Sequence, residues 1–171
     1  MRHTIIEFKA RCADHDRIRE KLKQKHARFA GTDRQIDTYF RVPQGRLKLR
    51  EGNIENSLIF YSRANDAGTK QSDVTMSKIA GDSDIKAVLS RALGVMVAVD
   101  KKREIYFVDN VKIHLDEVAG LGKFLEVEAI GKAEDRAKLQ RQCDEFVRDF
   151  EVRREDFVEG SYSDLLLEKN R

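Results

Sequence analysis

The segment Gly45-Arg46-Leu47-Lys48-Leu49-Arg50 alternates three cations with two leucines. Successive side chains of a β-strand point to opposite faces, so the three cations share one face and the leucines share the other. The segment Phe124-Leu125-Glu126-Val127-Glu128 repeats this alternation with two carboxylates in place of the cations. Both segments therefore predict strands that are apolar on one face and charged on the other.

The same alternation occurs in three further segments, which are Ile5-Ile6-Glu7-Phe8-Lys9, Lys101-Lys102-Arg103 and Lys112-Ile113-His114-Leu115-Asp116. For one strand alone, a charged face is equally typical of a sheet that has one side in water. For all five strands together, the apolar faces are needed for packing under helices, so we expect the charged faces to converge. A closed sheet would place them in its interior, where opposed charges must pair or bind a hydrated ligand.

Periodicity and turn signals predict an α+β fold, a closed or nearly closed antiparallel β-barrel with helices packed outside. We expect Asp14 to cap a first helix that carries Ile18 and Leu22 on one face. The predicted helices cover residues 14–26, 84–93, 134–147 and 163–168. The predicted strands cover residues 3–11, 27–42, 46–51, 57–63, 72–79, 95–108, 111–118 and 124–130.

Composition limits the class of protein. The 171 residues contain one proline and no Gly/Ser-rich or Pro-rich linker, which predicts a single domain over residues 1–171. The net charge of +3 is too small to favour a general nucleic-acid partner. No apolar run reaches the roughly 18 residues of a membrane span, so no membrane partner is expected. Cys12 and Cys143 are far apart in sequence and form no metal-type pair, which favours a reduced, cytoplasmic protein.

The charged faces together contain several cations and a few carboxylates. Arginine and lysine donate charge-assisted hydrogen bonds to phosphate oxygens. Carboxylates bind Mg²⁺ or Mn²⁺, and phosphates complete the coordination of such ions. The combination predicts a site for a polyphosphate bound together with divalent metal.

The chain resembles the CYTH superfamily of triphosphate tunnel enzymes, most closely its class IV adenylate cyclase branch. The resemblance covers nearly the whole chain, because it adds further segments to those quoted above. These are residues 35–40, 58–63, 113–116, 121–128 and 161–166, which read QIDTYF, LIFYSR, IHLD, LGKFLEVE and SYSDLL.

The resemblance implies roles for individual residues. It implies that Glu7, Glu126 and Glu128 bind Mg²⁺ or Mn²⁺, with Asp116 a ligand or a partner of the ligands. Lys9 would act with Glu7 in catalysis, either by contacting phosphate or by orienting the nucleophile. Asp37 and Tyr39 would face the nucleotide end of the tunnel. The phosphates would be bound by Arg46, Lys48, Arg50, Arg63, Lys101 and Arg103.

Ile5 departs from the Glu-x-Glu-x-Lys signature of the superfamily, because it occupies the first acidic position. The number of bound metals is therefore left open, and so is the reaction. A cyclase would convert ATP to cyclic AMP and pyrophosphate, whereas a triphosphatase would hydrolyse inorganic triphosphate, thiamine triphosphate or a nucleotide. A third alternative is a binding module without catalysis. The resemblance also allows a homodimer, although no surface is indicated for it.

Overall fold

The computed structural model describes residues 2–62 and 68–171, which form eight strands and four α-helices. The strands are β1 (Arg2–Arg11), β2 (Arg28–Phe40), β3 (Arg46–Glu51), β4 (Ser57–Ser62), β5 (Lys70–Lys78), β6 (Val95–Val108), β7 (Val111–Val118) and β8 (Gly122–Gly131). The helices are α1 (His15–Gln24), α2 (Ile85–Leu93), α3 (Arg136–Asp149) and α4 (Tyr162–Lys169).

All neighbouring strands are antiparallel and follow the order β1-β5-β4-β3-β2-β6-β7-β8, and β8 pairs with β1 to close the barrel. The predicted fold class is therefore confirmed. Strands β3, β6 and β7 have the predicted ends, and the other predicted elements differ from the observed ones by a few residues at most. The strand predicted over residues 57–63 is described up to Ser62.

The register of β1 and β8 sets the arrangement of charges inside the barrel. Glu7 lies opposite Glu128, and Lys9 lies opposite Glu126. On the other side of the barrel, Asp37 of β2 lies opposite Arg50 of β3. Since side chains alternate along each strand, this register brings the charged faces of β1, β3, β6 and β8 to the interior, as expected.

The main apolar core lies between the outer face of the barrel and the helices α1 and α3. On the outer face, Phe8 of β1 and Ile113 of β7 are almost fully buried. Ile18 and Leu22 of α1 pack against them, in agreement with the predicted helical face. From α3, the cluster receives Leu139, Cys143 and Phe146. On β1, β7 and β8 the apolar faces are therefore covered by helices, and the charged faces are left for the interior.

The segment that ends in α4 lies across one end of the barrel. The amide of Val158 donates to the carbonyl of Lys9 at 2.9 Å. The hydroxyl of Tyr162 donates to Oδ2 of Asp116 at 2.7 Å, which ties the first turn of α4 to β7. We call this end of the barrel the helix end, and we call the opposite end, where β3 turns into β4, the loop end.

No helix among residues 2–62 and 68–171 is long and apolar enough to cross a membrane.

We expect Leu22→Ala to lower the free energy of unfolding by about 2–5 kcal/mol, because Leu22 is 1% exposed within the core under α1. Urea denaturation followed by circular dichroism measures this change. The control is Glu20→Ala on the exposed side of the same helix, which should change the value by about 0.5 kcal/mol or less. Equal effects of the two substitutions would contradict this description of the core.

Candidate active site in the barrel interior

A cavity of about 510 Å³ occupies the interior of the barrel, a volume within the roughly 300–1,000 Å³ of small-molecule sites. The predicted site residues that line it come from β1, β2, β3, β6 and β8. They are Glu7, Lys9, Asp37, Tyr39, Lys48, Arg50, Lys101, Arg103, Glu126 and Glu128. The structure thus brings ten of the predicted residues together in one cavity.

Asp37 is the centre of a cluster of three cations. Its carboxylate accepts from Nζ of Lys48 at 2.9 Å and from Nζ of Lys101 at 2.8 Å. Arg50 binds it through Nε and Nη2, both at 2.9 Å. Burial alone would raise the pKa of Asp37, but Arg50, Lys101 and Lys48 hold it well below its usual range. Asp37 is therefore a buried anion that keeps three cations on one wall of the cavity.

The wall around Asp37 has more positive than negative charge. Burial lowers the pKa of Lys101 to about 7, and repulsion from Arg50, Arg103 and Lys48 adds to this effect, against the attraction of Asp37. One carboxylate does not offset the burial of so many cations. A bound phosphate would supply the missing negative charge.

Arg103 is bound by two carboxylates. Its guanidinium donates to both oxygens of Asp116, at 2.7 and 2.6 Å, and to Glu126 at 2.7 Å. Asp116 is fully buried and does not line the cavity, and its second oxygen also accepts from Tyr162. The structure therefore places Asp116 behind Arg103, as a partner that orients the guanidinium towards the cavity.

Glu126 has three partners in the site. It forms an ion pair with Lys9 and hydrogen bonds with Arg103 and with Nδ1 of His114. Burial would raise the pKa of Glu126, but Lys9, Arg103 and His114 hold it well below its usual range. Nζ of Lys9 also lies 4.3 Å from the ring centre of Tyr162, so Lys9 is held between β8 and α4.

Glu128 and Glu7 are neighbouring carboxylates on β8 and β1. They face each other across β1 and β8, and burial together with Glu126 and Glu7 raises the pKa of Glu128 to about 7. Ligand atoms of His114, Glu126 and Glu128 all lie within 4.8 Å of one another. A divalent cation beside Glu7 and Glu128 would remove the repulsion between the carboxylates, so these residues fit the metal that the resemblance implies.

Ile5 lies on the same face of β1 as Glu7 and Lys9, where it contributes to an apolar part of the cavity wall. Its inward neighbours in this part are Ile59 of β4, Val74 and Met76 of β5, and Ile130 of β8. Ile5, which stands at the first acidic position of the signature, thus adds to an apolar surface formed by residues of β4 and β5. The cavity wall therefore has an apolar part beside its charged parts.

Two predicted phosphate-binding residues are not among those that line the cavity. Arg46 lies at the helix end, where its guanidinium pairs with Asp164 at 2.7 Å and its side chain is 27% exposed. Arg63 lies outside the described residues. The roles predicted for these two arginines remain predictions.

The sequence did not single out the residues at the loop end. Glu55 accepts from Arg50 at 2.9 Å and pairs with Lys112 of β7, and Gln35 donates to it at 3.1 Å. Lys112 belongs to one of the alternating segments, so its position on the charged face of β7 could be predicted, although no role was assigned to it. Glu55 lies in the β3–β4 connection, where no alternation indicates the direction of a side chain.

The comparisons agree with this geometry. The CYTH domain model matches residues 3–162. A Methanocaldococcus jannaschii protein named "putative adenylate cyclase" is 24% identical over 170 residues, which cover 94% of this chain and 97% of the relative.

Two solved structures contain the same fold. A Vibrio parahaemolyticus protein with the same name superimposes with a TM-score of 0.79 at 22% identity, over 95% of this chain and 97% of its own. The HpAC1 protein from Hippeastrum, described as having a dominant triphosphatase activity, superimposes with a TM-score of 0.63 at 16% identity, over 96% of each chain. Because the family model matches nearly the whole sequence and these structures contain the same barrel, the chain belongs to the CYTH family.

Proposed function

We propose that this protein is a metal-dependent enzyme that binds a triphosphate inside the barrel and converts ATP to cyclic AMP and pyrophosphate. The observation that carries the proposal is the division of one cavity into three surfaces. A wall of cations lies on β3 and β6 around Asp37 of β2, a pair of carboxylates lies on β1 and β8, and an apolar surface lies on β4 and β5.

The cations are suited to a polyphosphate. Lys48, Arg50 and Lys101 converge on Asp37, which holds their side chains on one wall of the cavity. Groups that are already oriented lose less conformational freedom when the ligand binds. They would also stabilise the charge that develops on a pyrophosphate leaving group.

The carboxylates are suited to the metal. Glu7 and Glu128 would hold Mg²⁺ or Mn²⁺, with Glu126 shared between the metal and its present partners. When bound, such an ion would lower the pKa of a hydroxyl group and offset the charge of the phosphates. Lys9, fixed by Glu126 and by the ring of Tyr162, would contact a phosphate or orient the nucleophile.

In the proposed reaction the ribose 3′ oxygen forms a bond to the α-phosphorus, and the bond from that phosphorus to the pyrophosphate oxygen breaks. The apolar surface at Ile5, Ile59 and Val74 supports an organic triphosphate, because phosphate oxygens beside it would lose hydration without gaining hydrogen bonds. Most of the rate enhancement would come from positioning and electrostatics.

Hydrolysis of a triphosphate is the second candidate. It is supported by the dominant triphosphatase activity described for the Hippeastrum protein, which has the same fold. In that reaction water would attack the terminal phosphorus, and the same cations and carboxylates would serve. The two reactions differ in which phosphorus lies beside the nucleophile.

We expect the purified protein to form cyclic AMP and pyrophosphate from ATP when Mg²⁺ or Mn²⁺ is present. Chromatography of the products, with ATP and inorganic triphosphate as separate substrates, measures this activity. Formation of orthophosphate without cyclic AMP would contradict the proposed cyclase and support the triphosphate hydrolase. Binding without turnover would contradict both and support a non-catalytic binder.

Glu128→Gln should lower the metal-dependent activity by about a hundredfold or more, because it removes a carboxylate from the proposed metal site. Its control is Glu117→Gln on the neighbouring strand, an exposed glutamate paired with Lys123 at 3.8 Å, which should leave the activity unchanged. Full activity in Glu128→Gln would make the metal assignment wrong.

Affinity for inorganic triphosphate should fall as the pH rises from 6 to 9, because Lys101 loses its charge above a pKa of about 7. In Lys101→Arg the charge persists over this range. The ratio of the triphosphate affinity of Lys101→Arg to that of the wild-type protein should therefore rise by roughly tenfold between pH 6 and 9. Calorimetry of both proteins measures the ratio, and the protonation of the ligand itself cancels in it.

The titration of Lys101 does not itself destabilise the folded state over this pH range. The unfolded chain keeps Lys101 protonated up to its ordinary pKa of 10.5, so the folded state binds fewer protons between pH 7 and 10.5. This group therefore makes the folded state more stable as the pH rises. If the affinities of the wild-type protein and Lys101→Arg changed with pH in parallel, the charge of Lys101 would not contribute to triphosphate binding.

A further inference from the structure

Glu55 bridges two separate parts of the barrel wall at the loop end. Its carboxylate accepts from Nη1 of Arg50 on β3 at 2.9 Å and forms an ion pair with Lys112 on β7. Strands β3 and β7 are not neighbours, because β2 and β6 lie between them in the barrel. The contact therefore extends across the cavity.

The β3–β4 connection is constructed to hold Glu55 in this place. The amides of Ile54 and Glu55 donate to the carboxylate of Asp33 at 3.0 and 2.9 Å, and Asp33 is fully buried. A Cβ atom on Gly52 would lie 2.6 Å from Oδ1 of Asp33, so only glycine fits there without a shift. Asn56 closes the connection through reciprocal hydrogen bonds with Gly52 at 3.1 and 2.8 Å.

Both cations that bind Glu55 line the cavity. Arg50 also binds Asp37, so its guanidinium lies between the cation cluster and the loop end. Lys112 is the next cation towards the loop end, and its ammonium forms an ion pair with Glu55. A phosphate chain that follows the cations from Lys48 past Arg50 would meet the carboxylate of Glu55 before it reached Lys112.

We propose that Glu55 determines substrate specificity by rejecting a phosphate chain that extends past Arg50 towards the loop end. This inference rests on the proposed function, since it assumes that the cations bind a polyphosphate. A like charge placed against a bound anion is an effective way to exclude the wrong ligand. The same carboxylate would leave an uncharged part of a substrate free to occupy the loop end.

The test compares the affinities for inorganic triphosphate and inorganic tetraphosphate by calorimetry, with EDTA present so that metal-dependent turnover does not consume the ligands. The wild-type protein should bind tetraphosphate no more tightly than triphosphate, in spite of the additional charge. Glu55→Gln keeps the shape of the side chain and removes its charge. It should raise the affinity for tetraphosphate relative to triphosphate by about tenfold.

The matched control is Glu51→Gln, which removes a glutamate four residues earlier that pairs with Lys86 of α2 at 2.7 Å instead of facing the cavity. It should leave the ratio of affinities unchanged. The double variant Glu55→Gln/Lys112→Gln should not show the increase in tetraphosphate affinity. It lacks the ammonium of Lys112, which the loss of the Glu55 charge would otherwise make available to the fourth phosphate. Glu55→Asp keeps the charge and should still reject tetraphosphate, which provides a test if Glu55→Gln does not fold.

The outcomes separate this inference from the proposed function. If triphosphate binds in an Arg50-dependent way but Glu55→Gln and Glu51→Gln give the same ratio, the inference is overturned and the proposed function stands. A tenfold change that is confined to Glu55→Gln supports the inference, because a purely structural role would alter both affinities together. If the wild-type protein binds neither compound, with or without Mg²⁺, both proposals fail.

Discussion

The carboxylate of Asp37 holds three cations in the interior of a closed barrel, and the arrangement of the cavity depends on this contact. Burying several cations costs free energy unless an anion lies among them. Asp37 supplies one such anion, and its contacts with Lys48, Arg50 and Lys101 are all between 2.8 and 2.9 Å. Glu55 supplies a second anion, because its carboxylate accepts from Arg50 at 2.9 Å, so two carboxylates contact the three cations of this wall.

The opposite side of the cavity places carboxylates close to one another. Glu126 is neutralised by Lys9 and Arg103, whereas Glu128 faces Glu7 and has a raised pKa. The two sides of the cavity therefore differ, because cations gather around Asp37 on one side and carboxylates approach each other on the other side.

Apolar packing on the outside of the barrel allows charged residues to occupy much of its interior. The helices α1 and α3 cover the apolar faces of β1, β7 and β8, so the main apolar core lies outside the sheet. A second apolar cluster, which includes Ile5, Ile59 and Val74, lies beside the charged residues of the interior. At the helix end, Tyr162 contacts both Asp116 and Lys9, which connects the C-terminal helix to the orientation of the site.

Most of the strands and helices could be predicted, because hydrophobic periodicity reports directly which face of an element is buried. The inward positions of Glu7, Lys48, Arg103 and Glu128 followed from the same rule once the sheet was taken to be closed. The closed barrel and the family suggested by the resemblance are confirmed. The partners of each charge could not be predicted, since they depend on strand order and register between segments far apart in sequence.

Asp116 illustrates the difference. Alternation places it on the inward face of β7, yet Arg103 and Tyr162 occupy its oxygens and separate it from the cavity. Glu55 illustrates the reverse, because it lies in a connection without periodicity and is held at the cavity by contacts with residues such as Asp33, Arg50 and Lys112. The sequence by itself determined which strand faces are charged, because that is a local property of alternating side chains. Only the tertiary structure decided which charges meet, because distances across a barrel depend on the register of all eight strands.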